Sequence, residues 1–128
     1  MKNLVLWLVI LSGLIYAQGS VVIWNGDNQT LIQWINSTKQ SDVSFGLQQI
    51  IKSPNSINAN SVGYDLYKLF RNHENENIRQ MALIALYRLE HYLILKNLKK
   101  DLYTEKNQKI KLLIYKILKK MPVLDEIN

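Results

Sequence analysis

Cysteine is absent from the 128-residue chain, and proline (2) and glycine (5) are scarce. Without a thiol there is no disulfide framework, no thiolate zinc site, no cysteine nucleophile and no acylated lipoprotein cysteine. Familiar catalytic motifs are missing as well: no glycine-rich phosphate loop, no serine in a nucleophile elbow and no His-Glu-x-x-His pair. The two histidines, His73 and His91, each adjoin a glutamate and sit at opposite ends of one expected helix. At 1.5 Å per residue that separates them by roughly 25 Å, too far to share a metal ion. No two carboxylates fall on one helix face inside an apolar stretch. The expectation is a non-enzymatic protein with no metal and no cofactor.

Sustained period-2 alternation is missing too, so no strand is expected. Hydrophobic residues make up 48% of the chain and charged residues 20%, enough apolar material for the core of a single domain. The N-terminus reads as a targeting segment. Lys2 supplies a positive start, residues 4–16 are apolar except for Ser12 and Gly13, and Ala17 offers a small residue for cleavage. Thirteen residues fall short of the ~20 needed to cross a bilayer, so no stable span remains once the segment is removed. The alternative is a retained N-terminal membrane anchor, because apolar character resumes at residues 21–24. The expected organisation is a signal peptide over residues 1–17, an extension with a short helix over 18–40, a helical domain over 41–121 and a tail over 122–128. The chain is thereby expected to be exported, to the periplasm or the medium.

From Ser41 onward the pattern is helical, with breaks at residues 53–56, at 72–77, near Tyr103 and at Pro122. Five helices of about 11 to 17 residues are expected there. Comparing them reveals a repeat. Ile78, Met81, Ala82, Ala85, Leu86 and Leu89 find Ile110, Leu113, Ile114, Ile117, Leu118 and Met121 thirty-two residues on. Each set follows one face of a helix. Val43, Gly46, Leu47, Ile50 and Ile51 hold the same register thirty-five residues upstream, and Val62, Leu66 and Phe70 find Ile94, Leu98 and Leu102 at the thirty-two-residue offset. The chain alternates two helix types, and no single pair can bury its apolar face without a stacked neighbour.

Residues 75–86, Asn-Glu-Asn-Ile-Arg-Gln-Met-Ala-Leu-Ile-Ala-Leu, resemble the second helix of HEAT-like repeats: an Asn-rich turn, an aliphatic-Arg pair, then small residues ahead of Ala-Leu. Residues 107–118 are a weaker copy with Lys111 in place of the arginine, and residues 41–51 a fainter one with Ser44 there. The resemblance spans about two and a half helix pairs and is greatest to small secreted bacterial proteins of this kind. It implies an all-α fold, a short α-solenoid. It also implies that Arg79 braces an acidic residue of a neighbouring repeat, with Asp42, Glu74, Glu76 and Asp101 as candidates. Ala82 and Ala85 would let a neighbouring helix come close, and Asn77 would cap the helix.

The formal net charge is +6, and residues 99–120 carry all of it: eight lysines against Asp101 and Glu105. Lys116 and Lys119 occupy positions held by Ile84 and Tyr87 in the preceding unit. A terminal helix with no further repeat to meet must face water there, so the lysines are expected to be a solubilising cap. The patch has no arginine, and Tyr103 and Tyr115 are its only aromatics, so nucleic acid is disfavoured as a partner. Leu112, lying among the lysines, marks a small apolar contact. Trp34 is expected to pack on the first repeat.

The functional expectation is an exported repeat module that binds another protein or peptide through the ridge formed by Tyr64, Tyr67, Lys68 and Arg71. The alternative is a basic surface for anionic polymer or lipid, made by Lys109, Lys116, Lys119 and Lys120. Self-association through an uncapped first repeat is the third outcome this architecture allows.

Overall fold

The computed structural model describes residues 27–121; the expected signal segment, the apolar run at 21–24 and the tail after Met121 lie outside the described residues. Among the described residues all regular structure is helical, and no helix is long and apolar enough to cross a membrane. The helices are α1 (Asn28–Ile35), α2 (Gln40–Lys52), α3 (Ala59–Asn72), α4 (Glu76–Arg88), α5 (Tyr92–Leu95), α6 (Leu98–Thr104) and α7 (Gln108–Lys119), with a 3-10 turn at Pro54–Ser56.

Side-chain caps start most of the longer helices. The Asp27 carboxylate accepts from Thr30 N–H at 2.7 Å, which holds it below its ordinary pKa. Asn58, Asn75 and Asn107 open α3, α4 and α7 in the same way. The cap of α4 is therefore Asn75, not the expected Asn77, which lies inside the first turn. Asn75 Oδ1 takes both Asn77 N–H and Ile78 N–H, satisfying two of the amides that a helix start leaves unpaired.

The apolar faces predicted from spacing are the faces that pack. Val43, Leu47, Ile50 and Ile51 on α2, Val62, Leu66 and Phe70 on α3, and Ile110, Ile114 and Ile117 on α7 are all buried. α4 is the centre of the molecule. It packs against α2, α3, α5 and α7, and Met81 to Leu86 are buried without interruption, so its core face extends nearly all round. Ala82 and Ala85 are fully buried there. α1 lies on α2 and α3, and Trp34 meets the Phe45 ring edge-on at 4.8 Å. Gly46 allows that approach: a Cβ on it would stand 2.9 Å from Ile35 Cγ2.

The segment after α4 departs from the expected long helix. Glu90 adopts a positive φ of 54°, ending α4, and the following stretch divides into the short α5 and α6. The Asn97 amide reaches back only to Ile94 O, at 3.0 Å, a tight turn that separates the two. The turn also shifts the register. Of the three positions matched by the repeat, Leu98 is fully buried, whereas Ile94 and Leu102 are half-buried and Leu95 takes a core place beside Leu98.

Two hydrogen bonds recur between equivalent helix starts. Asn75 Nδ2 donates to Gln40 Oε1 at 3.2 Å, joining the cap of α4 to the first residue of α2. Asn107 Nδ2 donates to Glu76 Oε1 at 2.6 Å, joining the cap of α7 to the first residue of α4.

Candidate functional site

The lysine-rich end of the chain also presents three large apolar side chains to water, Tyr103, Leu112 and Tyr115; Phe45, Tyr64, Tyr92 and Leu93 are exposed elsewhere. On a helix wheel of α7, Ile110, Ile114, Ile117 and Met121 form the buried arc. Lys109, Lys116 and Lys120 share one stripe, within an arc of about 40°. Gln108, Lys111, Leu112, Tyr115 and Lys119 occupy the remaining face. The turn into α7 brings Leu102 and Tyr103 of α6 beside that face. The result is an open groove of about 430 Å³ lined by Leu102, Tyr103, Gln108, Lys111, Leu112 and Tyr115. Tyr103 is 86% exposed, Leu112 52% and Tyr115 48%. Lys119 Nζ stands over the Tyr115 ring, 5.4 Å from its centre, so a cation borders the apolar surface.

The two acids of this region are spent internally. Asp101 is buried on α6 and accepts from Tyr67 O–H at 2.8 Å and from Arg71 Nη1 at 2.7 Å. Burial raises the Tyr67 pKa to about 12, with further upward pushes from its hydrogen bond to Asp101 and from that negative charge; Arg71 opposes them. Glu105, in the turn before α7, is held in a fork by the Nη1 and Nη2 of Arg79 and accepts Asn107 N–H at 3.0 Å. Burial pushes its carboxyl up. The donors from Arg79 and Asn107 and the charges of Arg79 and Arg71 outweigh that and hold it below its ordinary value.

These contacts place the expected site residues. Arg79 pairs with Glu105 in the turn before α7, and not with any of the expected Asp42, Glu74, Glu76 or Asp101. Its Nε also donates to Phe70 O at 2.7 Å, and its guanidinium lies 5.7 Å from the Phe70 ring centre. In the ridge on α3, Tyr67 and Arg71 reach across to Asp101, while Tyr64, 72% exposed, and Lys68 face water. Of the lysine patch, Lys109 and Lys119 are exposed and Lys116 and Lys120 half-buried. At the positions equivalent to Lys116 and Lys119, Ile84 is buried and Tyr87 half-buried. His73 and His91 flank α4 and share no ligand set, and among the described residues no group of three or more His, Asp and Glu could hold a metal ion.

The groove was foreshadowed in the sequence only by Leu112 among the lysines. The usable signal was the pair Leu112 and Tyr115, three residues apart and off the buried arc, with Tyr103 upstream. Comparison with protein-family models, with curated proteins and with solved structures gives no match to this chain.

Proposed function

We propose that the chain is an exported, non-enzymatic helical-repeat module of HEAT-like type. On this reading it binds an acidic, amphipathic segment of another protein in the groove between α6 and α7. The groove carries the proposal: three large side chains line it in water, and lysines border it. Charge complementarity selects the partner. Asp101 and Glu105 are already matched by Arg71 and Arg79, so they do not neutralise Lys111 and Lys119 at the groove. A segment with aromatic or aliphatic anchors and carboxylates between them satisfies both the apolar floor and the cationic rim.

The repeat architecture is supported by the successive contacts of α2, α4 and α7, by those of α1, α3 and α5, and by the recurring asparagine bonds between helix starts. Export rests on the composition of residues 1–17. The groove, rather than the α3 ridge, is the favoured surface because Tyr67 and Arg71 are engaged by Asp101.

Selection from a displayed peptide library on the folded protein tests the reading. Enriched peptides should combine hydrophobic anchors with Asp or Glu. Leu112→Glu should weaken them at least about tenfold, and Tyr64→Glu should leave them unchanged. The single stripe formed by Lys109, Lys116 and Lys120 favours a second reading, a surface for anionic polymer or lipid. Under that reading, salt-sensitive retention on heparin survives Leu112→Glu. It disappears when Lys109, Lys116, Lys119 and Lys120 become Gln.

A further inference from the structure

The α6–α7 turn also borders a second cleft, of about 290 Å³, lined by Arg71, His73, Arg79, Thr104, Glu105 and Lys106. Its walls come from three places in the chain: the end of α3, the α3–α4 turn with the first turn of α4, and the α6–α7 turn. Three permanent cations line it against one carboxylate, and that carboxylate is occupied. Both Glu105 oxygens are taken by Arg79 and by Asn107 N–H. Arg79 in turn spends its Nε on Phe70 O.

The remaining donors are uncommitted. Arg71 gives Nη1 to Asp101, and its Nε and Nη2 make no hydrogen bond among the described residues. Lys106 is exposed and pairs with no carboxylate among the described residues. His73 Nδ1 accepts Asn75 N–H at 3.0 Å, so the neutral ring carries its proton on Nε2. The cleft thus offers an arginine edge, an ammonium and an imidazole N–H, with no free carboxylate oxygen to repel an anion.

We propose that this cleft binds a phosphate group through Arg71, Lys106 and His73 Nε2–H. Donors arriving from three chain segments suit a doubly charged oxyanion with acceptors on several faces better than a planar carboxylate with two. No Phe, Tyr or Trp lines the cleft, so it lacks the large aromatic platform on which a base stacks. The phosphate is either free in solution or the headgroup of an anionic lipid. Neither source depends on the peptide groove, because none of the six lining residues is shared with it.

The test is an amide chemical-shift titration of the folded full chain with inorganic phosphate, at constant ionic strength and neutral pH. Saturable shifts confined to residues 71–75 and 104–107 are expected. Lys106→Gln, at an exposed position, should weaken them about tenfold, and Lys109→Gln should not. Co-sedimentation with phosphatidylglycerol vesicles forms the second arm. Sedimentation lost in Lys106→Gln assigns the phosphate to a lipid headgroup; none, alongside a saturable titration, assigns it to the free ion. Shifts that fail to saturate, or that equal amounts of chloride reproduce, overturn the site if the vesicles also fail to sediment the protein. A saturable titration that is unchanged in Lys106→Gln overturns it as well, and sedimentation unchanged in that variant belongs to the α7 lysines and leaves the titration to decide.

Discussion

Arg79 and Asp101 do the long-range work at the level of single residues: Arg79 ties α4 to the α6–α7 turn, and Asp101 ties α6 to α3. Arg79 is 17% exposed and Glu105 5%, so the pair is largely withdrawn from water and removing one partner strands the other. Arg79→Gln should destabilise the fold by about 3 kcal/mol in denaturant unfolding, and Arg79→Lys should recover little of it, because an ammonium cannot reproduce the fork. Glu105 titrates below its usual value of 4.5 in the folded state. Its stabilising contribution is therefore complete above about pH 4.5 and is lost as pH falls through its lowered value. Glu105→Gln should remove that part of the acid dependence of stability. Tyr67 gives the alkaline counterpart. Its pKa is raised from 10 to about 12, so the stability it adds is intact below pH 10 and fades between 10 and about 12. The phenolate absorbance missing from Tyr67→Phe should develop only near pH 12. A difference signal complete by pH 10.5 would contradict the Asp101 contact.

The elements are set by short-range rules, and here the sequence was most readable. The i, i+3, i+4 pattern placed the buried faces of α2, α4 and α7 because a helix buries whatever lies on one stripe. It erred where a single contact decides between near neighbours. Asn75 and Asn77 are both competent caps, and only the path of the chain into α4 selects Asn75. Ile94 matched the repeat, yet the tight turn at Asn97 hands the core position to Leu95. Glu105 was not among the acids considered for Arg79, since its reach depends on how the α6–α7 turn folds back. The groove escaped notice for the same reason: half of it belongs to α6, which spacing on α7 cannot reveal. Two expectations belong at this scale. Asn75→Ala and Asn107→Ala should each cost about 1 kcal/mol in thermal or denaturant unfolding through the lost cap. Gly63→Ala should cost about 1–3 kcal/mol by overpacking. Its new Cβ would press on His91 Cδ2 and stand 2.6 Å from Nε2. His91→Ala in the same chain should recover much of that loss.

Across the whole molecule, the proposed stack explains why the positive charge gathers at one end. On that proposal Lys116 and Lys119 put polar side chains on α7 at the positions where α4 presents Ile84 and Tyr87. A pure cap, however, would have no use for Leu112, Tyr115 and Tyr103 in water. Their presence beside the lysines makes this face of α7 the proposed partner surface. The most direct measurement is photocrosslinking of the protein in the cells that make it and in their medium, with the photoreactive residue placed at position 112 or at position 64. The proposal predicts a discrete protein adduct from position 112. Lys111→Glu with Lys119→Glu should abolish it, and position 64 should give none. An adduct from position 64 with none from position 112 would contradict it.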